Sequence, residues 1–167
     1  MVNMIKLEKV TLTYIEEEDR IRLSAKTQES EVVVLWLTQR LGNRLIPVLR
    51  DWLLKQVQEG VNADVLHQFE QQAAQQASAA ETAVVAVEQN CDWIINRVDV
   101  RYSPKQMTLI FKGKAEQQSA QMTLVNTAMR QWFDILYRVY QRAGWHCADW
   151  PLWMHQLSAE ASTKVLH

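Results

Sequence analysis

The chain has 167 residues, a mass of 19.5 kDa and a formal net charge of -1. That length fits one compact domain, or one domain with an extension, and a 48% apolar composition excludes compositional disorder. The near-neutral charge argues against a generic polyanion binder, and only four glycines and three prolines argue against collagen-like, linker-rich and glycine-loop architectures.

Taken in chain order, residues 9–15 read as a strand, with Val10, Leu12 and Tyr14 on one side and Thr11 and Thr13 on the other. The acidic run Glu16, Glu17, Glu18, Asp19 reads as a solvated turn, because adjacent carboxylates with nothing apolar among them stay in water. Residues 20–25 alternate again, with Ile21 and Leu23 inward. Residues 29–37 form a third strand whose 32–37 core is apolar on both faces and therefore expects cover on both sides. These three runs predict an antiparallel meander.

The period then becomes helical. Thr38 is an N-cap residue, followed by Leu41, Leu45, Val48, Leu49, Trp52 and Leu53 at steps of three and four. Pro47 inside this pattern, with Gly42 and Asn43 upstream, predicts a short helical turn, a break, and then a longer helix from about Arg44. Asn62 is placed to cap a second helix with Val65, Leu66 and Phe69 on its buried face. The Gln/Ala/Ser stretch 71–80 then offers little to bury and predicts an exposed helix end. Residues 83–87 are apolar without a deciding period.

Strand character returns over 93–102, with Val98, Val100 and Tyr102 alternating with Arg97, Asp99 and Arg101. A turn at Ser103, Pro104, Lys105 and Gln106 leads to Met107, Leu109 and Phe111, the clearest hairpin of the chain. A long helix is predicted over 119–143. Met122, Val125, Met129, Trp132, Leu136, Val139 and Ala143 form a seam of three- and four-residue steps, and Gly144 stops it. The predicted fold class is α+β: an antiparallel or sandwich-like head over 1–113 with helices inserted at about 38–80, an amphipathic helix over 114–144, and a Trp-rich segment over 145–167.

Two cysteines, Cys91 and Cys147, read as free thiols in a reducing compartment. The start of the chain lacks a basic stretch followed by an apolar run, and the longest apolar run, 32–37, is too short to span a bilayer. The expectation is a cytoplasmic protein without a membrane contact and with no cofactor.

Three functional readings remain. The seam Met122, Val125, Met129, Trp132, Leu136 and Val139 suits self-association of a non-catalytic scaffold as a homodimer, since a broad apolar helix face must be buried somewhere, set against the plainer reading of a core helix covering the sheet. The Trp145–Trp153 neighbourhood holds His146, Cys147 and Asp149, with His155 beyond, which are metal-ligand or nucleophile types and would suit a small-ligand or metal-binding protein or an enzyme. Their spacing matches no zinc pattern, and the plainer reading is a segment packed back on the body with Asp149 capping a short helix. Finally, Arg97, Arg101, Lys105, Lys112 and Lys114 on the hairpin could contact nucleic-acid phosphates, set against the plainer reading of a solvated face.

The order of these elements resembles the head domain and stalk start of the non-homologous end-joining scaffold proteins, the X-ray-repair cross-complementing and XLF-like group. The residues that carry the resemblance are the strands over 10–37, the helices from Arg44 and Asn62, the 97–111 hairpin and the seam from Met122. It is a likeness of topology with no shared motif. It implies a non-enzymatic dimer joined through the stalk helix, while a role in DNA repair does not follow from topology.

Overall fold

The computed structural model describes residues 4–57, 63–77, 82–87 and 91–155. The elements run β1 (Ile5–Ile15), β2 (Arg20–Thr27), β3 (Val32–Leu37), α1 (Gln39–Leu54), α2 (Ala63–Ala77), β4 (Cys91–Ile94), β5 (Arg97–Tyr102), β6 (Gln106–Lys112), β7 (Ser119–Val125) and α3 (Asn126–Ala143). The fold is mixed α+β around one seven-stranded sheet of order β4-β3-β2-β1-β7-β6-β5. The predicted meander is present as β1–β2–β3, and the predicted hairpin pairs Arg97 with Lys112 and Tyr102 with Met107. The sheet is not wholly antiparallel: β1 pairs with β7, and β3 with β4, in parallel.

β4 and β5 lie at opposite ends of the strand order, yet only Ile95 and Asn96 separate them. The Ile95 N–H donates to Trp36 of β3, and the Asn96 N–H donates to Lys112 of β6. Residues 91–102 therefore act as one bent strand that leaves one edge and joins the other, so the sheet curls until its edges meet. Its inner side holds Leu23, Leu35, Ile95, Leu109 and Phe111, in one core cluster with Leu49 and Leu53 of α1 and with Phe133, Leu136 and Tyr140 of α3. On the outer side, the 82–87 segment crosses β1, where the Val84 N–H donates to Thr11 Oγ1 at 2.9 Å. In register with Thr11, Ser24 and Val34 are buried, which explains why β3 is apolar on both faces.

Several expectations are corrected by packing. Helix α1 is continuous from Gln39 through Pro47, capped by Thr38, whose hydroxyl accepts from the Leu41 N–H. Gly42 is not a break. Its Cα faces the Tyr140 hydroxyl so closely that a Cβ there would collide with it, while that hydroxyl donates to Asn43 Oδ1 at 2.8 Å. Ile46 is buried on α1, whereas Val48 of the expected face is partly exposed. The predicted cap of α2, Asn62, lies outside the described residues, as do 78–80 of the Gln-rich stretch.

The largest correction concerns the C-terminal helix. Ser119–Val125 is strand β7, hydrogen-bonded along β6 from Ser119 opposite Lys112 to Val125 opposite Gln106. Helix α3 starts at Asn126, so the boundary expected at 113/114 falls between two paired strands. The seven residues Ser-Ala-Gln-Met-Thr-Leu-Val bury Ala120, Met122 and Leu124 with a period of two, and their pairing partner decides the conformation. The other end agrees with expectation: Gly144 adopts φ 67°, and the Trp145 N–H returns to the Tyr140 carbonyl. Among the described residues, no helix is long and apolar enough to cross a membrane.

Candidate functional site

The expected self-association seam lies inside the chain. Met129, Trp132, Leu136 and Val139 are buried in the core, Met122 is buried on β7, and Val125 alone of the six is exposed. Helix α3 is covered by β1 and β7, by α1 and by α2, so a second subunit cannot reach this seam without opening the core.

Helix α2 has the reverse polarity of a surface helix. The expected buried face, Val65, Leu66 and Phe69, points outward, with Phe69 63% exposed. The inward face is His67, Gln71 and Ala74, all buried. This inversion is held by a polar network centred on Arg130 of α3, which is 1% exposed. One guanidinium nitrogen, Nη2, lies 3.0 Å from His67 Nδ1 and 3.0 Å from Glu70 Oε2, and Nε donates to Asn126 Oδ1. Asn126 in turn donates to Glu70, and Gln71 Nε2 donates to the Arg130 carbonyl at 2.7 Å. Because a guanidinium only donates, His67 Nδ1 must be an acceptor. His67 is therefore neutral, with its proton on Nε2. Burial holds its pKa below the usual imidazole value, and the adjacent Arg130 cation acts in the same direction. Further along, Gln75 Nε2 donates to Asp134 at 2.6 Å, and Asp134 pairs with Arg138. The lone pair that could make His67 a base is engaged, so the network holds α2 to α3.

The Trp-rich segment closes over this network, in line with the plainer reading of it. Trp153 stacks on His67 at 5.5 Å between ring centroids and lies under the Arg130 guanidinium. Trp150 meets Phe133, Tyr137 and Tyr140 edge to face, and Trp145 meets Tyr14 and Tyr140. Pro151 precedes a helical turn at 152–155, but Asp149 does not cap it; its carboxylate accepts from Arg50 instead.

The metal-ligand types do not converge. Cys147 Sγ approaches Asp149 at 4.0 Å, His146 is exposed, and His155 turns to the Tyr137 hydroxyl. Among the described residues no group of three His, Cys, Asp or Glu is placed to hold a metal ion. Burial pushes the Cys147 thiol pKa up, which works against a reactive thiolate. On the hairpin, Arg97 and Lys112 share Asp99, while Arg101, Lys105 and Lys114 are exposed and spread along its length.

The Arg130 network escapes a sequence reading because Arg130 counts as a surface cation of the last helix. A signal was present: Arg130 and Asp134 interrupt the apolar stretch around Met129, Trp132 and Phe133, where solvated charges do not fit. No protein-family model and no curated protein matches this chain.

Proposed function

We propose that this protein is a non-catalytic interaction module that self-associates, and that its contact face is the outward side of α2. The observation that carries this is the inversion of α2: a buried network of polar side chains holds the helix so that Val65, Leu66 and Phe69 face solvent. Holding apolar residues outward costs hydrophobic stabilisation unless a partner covers them. The face is also self-complementary. Phe69 lies next to the helix midpoint, with the large Val65 and Leu66 on one side and the small, exposed Ala73 on the other. Two antiparallel copies related by a two-fold axis set each large pair over the partner's Ala73. Of the two α2 carboxylates, Glu70 is already paired with Arg130 and Asp64 lies in the first turn, away from the two-fold axis near Phe69.

The order of strands, helical pair, hairpin and terminal helix, on which the likeness to end-joining scaffold heads rests, supports an interaction role, with the contact moved from α3 to α2. Both cysteines are free, which supports a reducing, cytoplasmic setting.

Sedimentation velocity of the full chain tests the proposal. A concentration-dependent dimer is expected, and Phe69→Glu is expected to give a monomer with an unchanged circular dichroism spectrum. A monomer at every concentration, or a dimer indifferent to Phe69→Glu, would overturn it.

A further inference from the structure

Arg40 and Arg44 stand one helical turn apart near the start of α1, both exposed. Five other arginines are spoken for: Arg20 by Glu18, Arg50 by Asp51 and Asp149, Arg97 by Asp99, Arg130 by Glu70 and Arg138 by Asp134. Arg40 and Arg44 have no ionic or hydrogen-bonding partner among the described residues. They line a cleft of about 240 Å³ between α1 and the corner where the bent strand passes from β4 to β5. No carboxylate is among its lining residues. Asn96 lines it too; its backbone N–H is used in the corner, while its side-chain amide has no partner among the described residues. Leu41 and Ile94 add apolar surface, and Ile94 is 39% exposed.

This combination selects for a particular ligand chemistry. One guanidinium satisfies a carboxylate with a two-pronged contact, whereas a phosphate monoester carries up to two charges and enough oxygens for two guanidinium groups. The amide can donate to the ester or to a remaining oxygen, and the apolar wall suits a carbon group. Two free cations in a small cleft are too few to follow a polynucleotide backbone, whose binding grows with the number of phosphates neutralised. We propose that this cleft binds a phosphate monoester carried on a small organic group. The site is separate from the α2 face, so either proposal can fail alone.

Titration calorimetry of the full chain tests this with inorganic phosphate, glycerol 3-phosphate, a nucleoside 5′-monophosphate and a short single-stranded oligonucleotide. At least one monoester is expected to bind more tightly than inorganic phosphate. The double variant Arg40→Ala/Arg44→Ala is expected to lose at least about tenfold in that affinity, with an unchanged circular dichroism spectrum. The Arg40→Lys/Arg44→Lys variant should recover only part of it, because lysine keeps the charge and loses the fork. Absence of monoester binding up to about 10 mM, or binding that the double alanine variant leaves unchanged, would overturn the proposal. So would an oligonucleotide bound more tightly than every monoester with an affinity that falls steeply with salt, which would assign the cleft to nucleic acid.

Discussion

Helices α2 and α3 lie against each other and meet the demand for burial in opposite ways. Helix α3 packs apolar side chains on the sheet, with Met129, Phe133, Leu136 and Tyr140 fully enclosed. Helix α2 contributes His67, Gln71 and Ala74 to the same contact and leaves its largest apolar residues outside. Apolar burial is non-directional and tolerates small movements, whereas a buried polar contact depends on every partner being in place. Helix α3 should therefore stand or fall with the whole fold, and α2 should be held by a contact that one substitution or one proton can weaken.

The largest effect is expected where both kinds of packing meet. Arg130→Ala leaves His67, Glu70 and Asn126 without their shared partner and opens space over the Trp153 ring, and it should cost at least about 3 kcal/mol in denaturant unfolding. Leu136→Ala, a purely apolar loss at a fully enclosed site, should cost about 2–5 kcal/mol. If Arg130→Ala proved nearly neutral, the polar half of the comparison would be wrong. A Cβ at Gly42 would push on the Tyr140 hydroxyl, so Gly42→Ala should cost about 1–3 kcal/mol and disturb the hydrogen bond to Asn43.

Acidification should separate the two helices more selectively. His67 binds its proton less readily in the folded chain than at the usual imidazole pKa of 6.5, because of burial and then Arg130, with Glu70 and Asp64 opposing. Below pH 6.5 the unfolded chain therefore takes up the proton first, and stability falls as pH drops toward the folded pKa. The slope is at most that of one proton, about 1.4 kcal/mol per pH unit. His67→Asn should flatten this part of the profile while keeping an acceptor for Arg130. A profile unchanged by that substitution would remove His67 as its source. At concentrations where the chain is monomeric, the smallest expected effect on stability is that of Phe69→Glu, within about 0.5 kcal/mol, because the side chain is mostly exposed; its consequence is expected in the sedimentation instead.

Much of the architecture was legible from local pattern. The alternation in β1, β2 and the β5–β6 hairpin, the Thr38 cap and the Gly144 stop rest on interactions among residues close in sequence, and all are found. The start of α3 was not, because Ala120, Met122 and Leu124 satisfy a period of two while Met122, Val125 and Met129 satisfy a helical one. Only the presence of β6 alongside selects between them. The bend at Ile95 and Asn96 is hidden for a similar reason: residues 93–102 do read as one strand, but which edge each half joins depends on β3 and β6. The Arg130 network was the least legible, since its members come from two helices with about sixty residues between them.

By itself, the sequence determined which segments alternate, where two helices are capped or stopped, and that the chain has enough apolar residues for a single core. These follow from backbone sterics and side-chain period over a few neighbouring residues. Only the tertiary structure decided that the last apolar helix is enclosed by its own sheet, that α2 turns its apolar face outward, and that Arg40, Arg44 and Asn96 share a cleft. Those outcomes depend on competition among distant groups for a limited interior, where Arg130 and its partners hold places that a pattern of apolar residues would have assigned to Phe69.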